Sequence, residues 1–459
     1  MRTKSSPQSY LDFTSASSNK IVLEYRAKYD ALSGHLDANP KLLSLLHEDI
    51  KHALSASLEG RDGKYTSEHV LRSLVVMFVE GCAYRETIIR VANSEFLWHF
   101  VRLGNRPMMS HSFLCTAYGV ISPETWLALN RGLSQYASDE GFISPDRLRV
   151  DTTAVESNIH WPTDSSLLWD AFRTLSRLLK QVRAELSALG MTHRFHGDKV
   201  KKLSNYISRN ASQKSKKAQR AIKIAYGTLI KRVRWIAGVS REAIAALHAT
   251  GEVSLMALSA ELSHYAPLVE RIVDQAHRRV FNGECVPATE KLYSLFEEHT
   301  ELIMRGKAGK PVEFGHKVLI AETGEKFIVH YETYERQPAD KDLVDETLQA
   351  HRKIFKEQPR VFATDKGFYE SMEKISVLEE SIPTVSMAKK GRRTPEQTER
   401  EHSEEFRDGQ RFRAGCEGTI SVLKRVFKLK RCVFKGFKNF AAAVGCAVFC
   451  HNLVALTRC

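Results

Sequence analysis

The feature that most constrains the fold is a single strand signal, separated from all later ones by a long helical stretch. Residues Arg147–Val155 read Arg-Leu-Arg-Val-Asp-Thr-Thr-Ala-Val, and this richness in β-branched side chains is typical of a β-strand. The stretch Ser165–Arg305 that follows is helical in pattern and has few strand signals. Alternation returns in Val312–Glu322 and Lys326–Glu335, which predict a hairpin around the turn Glu322-Thr-Gly-Glu. The pattern predicts a sheet whose first strand is followed by a large helical insertion.

The C-terminal part alternates between helices and short strands. Lys341–Lys356 has an amphipathic pattern, and Pro359–Asp365 and Ile382–Ala388 read as strands. Thr394-Pro-Glu-Gln predicts a capped helix start with proline at the first helical position. The apolar segment Phe437–Leu456 predicts a core helix, since its apolar run is short for a membrane span.

The N-terminal part reads as two regions. Residues 1–62 form a polar lead-in with one or two helices, and residues 63–142 form a helical N-terminal domain. In the second region Ser67 is a candidate N-cap for a helix Val70–Glu80 that ends at Gly81. This helical domain is either a helix-turn-helix or a module for packing and dimerisation.

Charge points to a polyanionic partner. The chain has 459 residues and a net charge of +14, which favours nucleic acid over a membrane surface. The basicity is concentrated in a first basic patch, Arg194–Arg234, and a second basic patch, Arg411–Lys438. The alternative is a pair of solvated basic helices. Tyr206, Tyr226 and Trp235 in or beside the first patch could stack on sugars or bases. The candidate DNA-binding cations are Arg413, Lys424, Arg425, Lys214, Lys216, Lys217, Arg220, Lys231, Arg232 and Arg234.

The eight cysteines include no Cys-x-x-Cys pair, so we interpret them as reduced cytosolic thiols that are mostly buried. A zinc site of Cys446, Cys450 and His451 is the alternative to core packing. The N-terminus has no apolar segment of the kind found in signal peptides. These observations predict a cytoplasmic protein that does not use a membrane.

Three carboxylates are candidates for catalysis. Asp151 lies inside the first strand, where aspartate is disfavoured, and Asp365 ends a later strand. Glu417 lies on one helix face between Arg413 and Lys424, which suits a metal ligand beside cations that face a phosphate. Each has a simpler explanation: a strand-edge residue, a turn residue, or ordinary ion pairs on a solvated helix. Asp164 and Glu156 are rival candidates for the first ligand.

The order of elements is that of a ribonuclease-H-like fold with a helical insertion after the first strand. The fold class predicted is therefore an α/β catalytic core with a mixed sheet, a helical N-terminal domain and a large all-α insertion. The catalytic domain would comprise residues 143–164 and 310–459, and the insertion residues 165–309. Three carboxylates from separate elements could hold two divalent ions for in-line phosphoryl transfer, and Mg²⁺ suits such oxygen ligands.

Several segments resemble one family, the bacterial insertion-sequence transposases of the DDE class. Arg413-x₃-Glu417-x₆-Lys424 matches the end of its Tyr-x₂-Arg-x₃-Glu-x₆-Lys motif, with Gln410 at the tyrosine position. The resemblance covers roughly residues 65–456. The other matching segments are Val70-Leu-Arg-Ser-Leu through Gly81-Cys-Ala-Tyr-Arg-Glu, Val150-Asp-Thr-Thr-Ala-Val-Glu-Ser-Asn-Ile, Pro311-Val-Glu-Phe-Gly-His-Lys-Val and Thr364-Asp-Lys-Gly-Phe-Tyr.

The resemblance implies a catalytic and metal-binding triad of Asp151, Asp365 and Glu417 that holds two Mg²⁺ or Mn²⁺ ions. It implies cleavage and strand transfer of double-stranded DNA at transposon ends and target, by a homodimer associated with the nucleoid. One alternative is a catalytically inactive, transposase-derived protein that only binds DNA. Another is a ribonuclease-H-like nuclease without strand transfer.

Overall fold

A computed structural model describes residues 19–55, 65–185, 192–307 and 310–458. The predicted lead-in falls partly outside these residues, and its described part forms α1 and α2. In chain order the helices are α1 (Lys20–Ala38), α2 (Pro40–Ser55), α3 (Ser67–Val79), α4 (Tyr84–Ala92), α5 (Glu95–Val101), α6 (His111–Val120), α7 (Pro123–Asp139), α8 (Asp164–Glu185), α9 (Gly197–Asn210), α10 (Lys216–Thr250), α11 (Val253–Phe281), α12 (Val344–Phe355), α13 (Met372–Glu379), α14 (Pro395–His402), α15 (Glu404–Arg425) and α16 (Phe437–Leu456). The strands are β1 (Arg147–Ser157), β2 (Glu301–Lys307), β3 (Lys310–Glu322), β4 (Ile328–Tyr334), β5 (Val361–Thr364), β6 (Thr384–Met387) and β7 (Arg431–Cys432). Single turns of 3-10 helix occur at Asp340–Leu343 and Lys366–Phe368.

The chain divides into two compact units, each with its own hydrophobic core. The first unit comprises residues 1–156 and 316–459, and the second comprises residues 157–315. In the first unit the core runs through the N-terminal helices, the sheet and α16. The core of the second unit lies among α8, α9, α10 and α11. The divisions fall at residues 157 and 315, against the sequence boundaries at 165 and 309, and the N-terminal helices belong to the same unit as the sheet.

The described strands form one mixed seven-stranded sheet, as the predicted α/β class requires. The order is β2-β3-β1-β5-β6, with β4 also paired to β3 and β7 to β1. The strands β1, β5 and β6 are parallel neighbours, whereas β3 and β4 form the antiparallel hairpin predicted around Glu322. Parallel neighbours place their carboxyl ends at the same edge of the sheet, and this edge carries the candidate site.

The prediction of an all-α insertion is wrong at its C-terminal end. α11 ends at Phe281, and the segment Glu301–Lys307 is the strand β2, which pairs antiparallel with the first part of β3. Its sequence Glu-Leu-Ile-Met-Arg-Gly-Lys has too little alternation to separate it from a helix by pattern. Its pairing with β3, and not its own sequence pattern, determines its extended conformation.

The helix α3 is buried along its whole length, including its charged residues. Arg72 is 1% exposed and pairs with Glu68 at 3.0 Å and with Asp37 at 2.7 Å. Thr66, and not Ser67, caps the helix, with a reciprocal hydrogen bond to His69. A helix enclosed on all sides cannot enter a DNA groove, so α3 favours the packing interpretation of the N-terminal helices over a recognition helix.

α16 has the predicted bounds and is the central core helix of the first unit. It is long and apolar enough to cross a membrane, and 78% of its most apolar window is buried within the protein. Cys446, Cys450 and His451 are all buried in it. This burial favours core packing over the zinc site for the three side chains. No group of three or more metal-ligating residues is found in the part of the chain that the structure describes. No disulfide joins any two of the seven cysteines within that part.

Candidate active site

The two aspartates of the predicted triad each follow the last paired residue of two adjacent parallel strands, β1 and β5. Val150 of β1 is in register with Thr364 of β5, so the next residues, Asp151 and Asp365, are side by side at the carboxyl edge of the sheet. The Asp151 carboxylate accepts a hydrogen bond from the backbone N–H of Thr152 at 2.8 Å. The Asp365 carboxylate accepts one from the backbone N–H of Gly367 at 2.7 Å. Residues far apart in the chain are thus brought together at one point.

The helix α15 lies across β5 and β6 because its sequence allows a close approach. A Cβ atom at Gly409 would overlap the side chain of Ser386 on β6. The amide of Gln410 donates to the carbonyl oxygens of Ser386 at 2.7 Å and of Thr364 at 3.2 Å. Gln410 therefore fixes the helix to both strand ends. Its contacts place Glu417 two turns further along the same helix.

Arg149 on β1 joins this strand to β3 through a buried ion pair and to α15 through a hydrogen bond. Arg149 is 5% exposed and Glu322 is fully buried, and the two are 2.5 Å apart. The Arg149 guanidinium also donates to the carbonyl oxygen of Phe412 at 2.9 Å, and a Cβ atom at Gly415 would overlap it. This pair was not predicted from the sequence. The available signal was an arginine at the second position before Asp151, and therefore on the same face of the strand.

Arg413 lies between Asp151 and Glu417. Its guanidinium is 3.6 Å from the Asp151 carboxylate and 3.4 Å from the Glu417 carboxylate. Asp151 is 15% exposed and Arg413 20%, whereas Glu417 is 69% exposed. The arginine thus supplies a cation between two of the three acids, and the Arg413–Glu417 pair has the spacing that the sequence predicts.

The surroundings of Asp151 disfavour its charge. Its pKa is raised to about 6, first by burial and next by repulsion from Asp365, with a smaller effect from Glu417. The Thr152 N–H and the Arg413 charge oppose this rise. The ionised form of Asp151 is therefore disfavoured, and a cation bound at this edge would relieve the cost.

The donors at this edge are carboxylate oxygens, which suit Mg²⁺ or Mn²⁺. As the side chains stand, no group of three or more His, Cys, Asp or Glu residues is arranged to hold a metal ion within the described ranges. Asp151 and Asp365 fit such an ion by position, while Glu417 is directed to Arg413. Recruitment of Glu417 as a third ligand requires that this ion pair opens.

The rival acids are engaged elsewhere. Glu156 pairs with Arg431 at 3.1 Å, and Asp164, in the second unit, pairs with Arg279. A different acid, Asp340, lies beside the candidate site and was missed, since it stands in the loop between the hairpin and the next helix. Its carboxylate accepts a hydrogen bond from the Thr152 hydroxyl at 3.1 Å.

The cations of the second basic patch flank the C-terminal end of α15. Arg425 is exposed and Lys424 half-buried. Both line a cavity of about 770 Å³ within the first unit, together with aromatic side chains such as Phe78 and Phe434. The two cations therefore border open space at the end of the helix that carries Glu417.

The first basic patch lies on α9, α10 and the turn between them, in the second unit. Its seven candidate cations are all exposed: Lys214, Lys216, Lys217, Arg220, Lys231, Arg232 and Arg234. Of the aromatic residues proposed to stack, Tyr206 is 44% exposed and Trp235 half-buried against Phe195. Tyr226 is 7% exposed in the core, so the expectation that it could stack on bases is wrong.

Comparison with known proteins gives no match to this chain among protein-family models, curated proteins or solved structures.

Proposed function

We propose that this protein is a DDE transposase, a metal-dependent polynucleotidyl transferase that cuts and joins double-stranded DNA. The observation that carries the proposal is the position of Asp151 and Asp365 directly after the last register-paired residues of the parallel strands β1 and β5, with the Glu417 helix fixed across the ends of β5 and β6 by Gln410. Acids from three separate elements at one sheet edge suit metal-assisted phosphoryl transfer. The resemblance of the surrounding motifs to the insertion-sequence transposases supports the same function.

The element order supports a ribonuclease-H-like catalytic core. After β1 come the hairpin of β3 and β4, the helix α12, the strand β5, the helix α13, the strand β6 and the long helix α15. Asp151 lies on β1, Asp365 directly follows β5, the first strand parallel to β1, and Glu417 lies on α15. This is the distribution that the proposed chemistry needs.

In this proposal Asp151, Asp365 and Glu417 would hold two Mg²⁺ ions, which Mn²⁺ could replace. When bound, such ions neutralise phosphate charge and activate the attacking oxygen. Arg413 would exchange its carboxylate partners for a DNA phosphate, freeing Asp151 and Glu417. Lys424 and Arg425 would contact the strand beside the cut, and the first basic patch would hold the phosphate backbone without reading sequence.

The partners in this proposal are the transposon ends and a target duplex, bound by a homodimer in the nucleoid. The net charge of +14 suits a protein that stays on DNA in the cytoplasm. The cations of the first basic patch make phosphate contact possible at many positions, since all seven candidates are exposed.

The test pairs a cleavage assay with a gel shift on supercoiled DNA that carries the genomic sequence flanking the reading frame. Glu417→Gln removes the charge that would hold the ion, so we expect cleavage in Mg²⁺ to fall by orders of magnitude while DNA binding persists. Glu405→Gln is the matched control, because Glu405 is exposed in the first turn of the same helix. Lys424→Ala should weaken strand positioning and retain some metal-dependent nicking. Cleavage by Glu417→Gln at the wild-type rate would contradict the proposal.

The second candidate is a DNA-binding protein without catalysis. It is favoured by one observation, the engagement of both Asp151 and Glu417 by Arg413. In that case the wild-type protein would bind the DNA and give no nicked or joined product with Mg²⁺ or Mn²⁺. Nicked product without joined product would instead identify a nuclease.

A further inference from the structure

Asp340 connects the two aspartates of the candidate site from outside the predicted triad. One oxygen of its carboxylate accepts hydrogen bonds from the Thr152 hydroxyl at 3.1 Å and from the Lys317 ammonium at 3.0 Å. Thr152 follows Asp151 directly, and its backbone N–H donates to the Asp151 carboxylate. Asp340 is thus joined to Asp151 through a single intervening residue on β1.

The other oxygen of Asp340 faces Asp365 across Gly367. A Cβ atom at Gly367 would lie 2.9 Å from the Asp340 Oδ2 atom and 2.9 Å from the Asp365 Oδ1 atom. Because both oxygens lie 2.9 Å from the same point, the Asp340 Oδ2 and Asp365 Oδ1 atoms are at most twice 2.9 Å apart. The backbone N–H of Gly367 also donates to Asp365. Residue 367 must be small for the two carboxylates to approach in this way.

Lys317 neutralises the charge of Asp340 at the carboxyl edge of the sheet. Its side chain is 15% exposed, and its ammonium group also donates to the carbonyl oxygen of Pro338 at 2.8 Å. The lysine is therefore fixed between the loop and the Asp340 carboxylate. Its charge offsets that of Asp340 and leaves the remaining carboxylates, Asp151 and Asp365, for another cation.

We propose that Asp340 is a positioning residue that holds Asp151 and Asp365 at a fixed separation for metal binding. This inference rests on the proposed function and adds to it a residue outside the triad. Asp340 acts on Asp151 through Thr152, acts on the turn of Asp365 across Gly367, and keeps Lys317 away from both aspartates. Without it, Lys317 is free to pair with them and compete with the ion.

The experiment titrates Mn²⁺ into the full-length protein without DNA and follows the bound ion by electron paramagnetic resonance. Loss of an outer residue that orients metal ligands typically weakens metal binding by about 10–100-fold, and we expect at least a tenfold weaker affinity for Asp340→Ala. Asp340→Asn keeps the acceptor oxygen for Thr152 and Lys317 and should stay closer to the wild type. Asp342→Ala, an exposed acid in the same turn, should bind Mn²⁺ as the wild type does.

A second variant tests the same idea without removing the acid. Gly367→Ala places a methyl group between Asp340 and Asp365, and we expect it also to weaken Mn²⁺ binding while thermal unfolding shows a folded protein. Wild-type affinity in both Asp340→Ala and Gly367→Ala would overturn the inference and leave the proposed function standing. Absence of Mn²⁺ binding by the wild-type protein would overturn the proposed function and this inference with it.

Discussion

Replacing Asp151 by asparagine should stabilise the protein at neutral pH. Asp151 is 15% exposed, and its ionised form is opposed by burial and by the Asp365 and Glu417 carboxylates. Asparagine has nearly the same shape, keeps an oxygen for the Thr152 N–H, and carries no charge. The substitution therefore removes the cost of charging a crowded acidic site.

The magnitude follows from the pKa of Asp151, which is raised from 3.8 to about 6. A shift of about two units corresponds to roughly 3 kcal/mol between the protonation states. Because the pKa in the folded protein lies above that of the unfolded chain, the folded protein binds the extra proton between about pH 4 and pH 6. Its stability therefore falls as the pH rises through this window, and the full cost is present above about pH 6.

The assay is thermal unfolding of wild type and Asp151→Asn at pH 4 and pH 7.5 without divalent ions. At pH 7.5 we expect the variant to unfold about 3–6 °C higher. A change of 1 kcal/mol shifts the unfolding midpoint by roughly 2–4 °C in a domain of about 200 residues, and by roughly half of that in a protein of twice the size. At pH 4 the difference should shrink toward zero, because Asp151 is then largely protonated. Asp139→Asn, at an exposed position on α7, should show no such pH dependence.

Two results would refute this reasoning. A variant less stable than the wild type at pH 7.5 would mean that the Arg413 contact outweighs burial and repulsion. A difference that is equal at both pH values would mean that the charge on Asp151 is not the cause.

Three further predictions test the surroundings of the site. Glu322→Gln leaves the Arg149 guanidinium buried with only a neutral partner, and we expect a loss of about 3–5 kcal/mol in thermal or urea unfolding; an unchanged midpoint would contradict the buried pair. Gly409→Ala adds a methyl group against Ser386 and should lower stability by roughly 1–3 kcal/mol together with cleavage, whereas Gly418→Ala on the same helix meets no neighbouring atom and should be tolerated. Replacing four exposed cations near the start of α10 (Lys214, Lys216, Lys217 and Arg220) by glutamine should reduce the salt dependence of DNA binding by about 0.9 in logarithmic slope per lost phosphate contact. An unchanged slope would show that they face solvent only.

Helices and strands that are determined by residues close to them in sequence were predictable. α16 has the predicted bounds, and Thr394 forms its capping box with Gln397 as the motif indicates. The strand β1 was predicted because β-branched residues favour a pleated, partly buried surface. In these cases the information lies within a few residues of the element itself.

Features that depend on tertiary contacts were not predictable in the same way. Tyr226 looked available for stacking, but Leu229, Ile230 and Val233 share its face of α10 and are buried, a helical stripe that marks that face as core. Asp340 meets Thr152 from a position 188 residues away, and no local pattern marks such a contact. The engagement of Asp151 by Arg413 likewise depends on how α15 packs on the sheet.

The parallel pairing of β1 with β5 also has a consequence for synthesis of the protein. More than two hundred residues separate the two strands in the chain, and a ribosome that adds about 5–20 residues per second needs roughly 10–40 s to produce them. During this interval β1 has no β5 to pair with, and its apolar residues Leu148 and Val150, fully buried in the finished protein, lack that neighbour. Glu417 is made later still. A nascent chain therefore lacks the complete set of three acids until nearly the whole chain has been made, and the proposed cutting activity would have to wait as long.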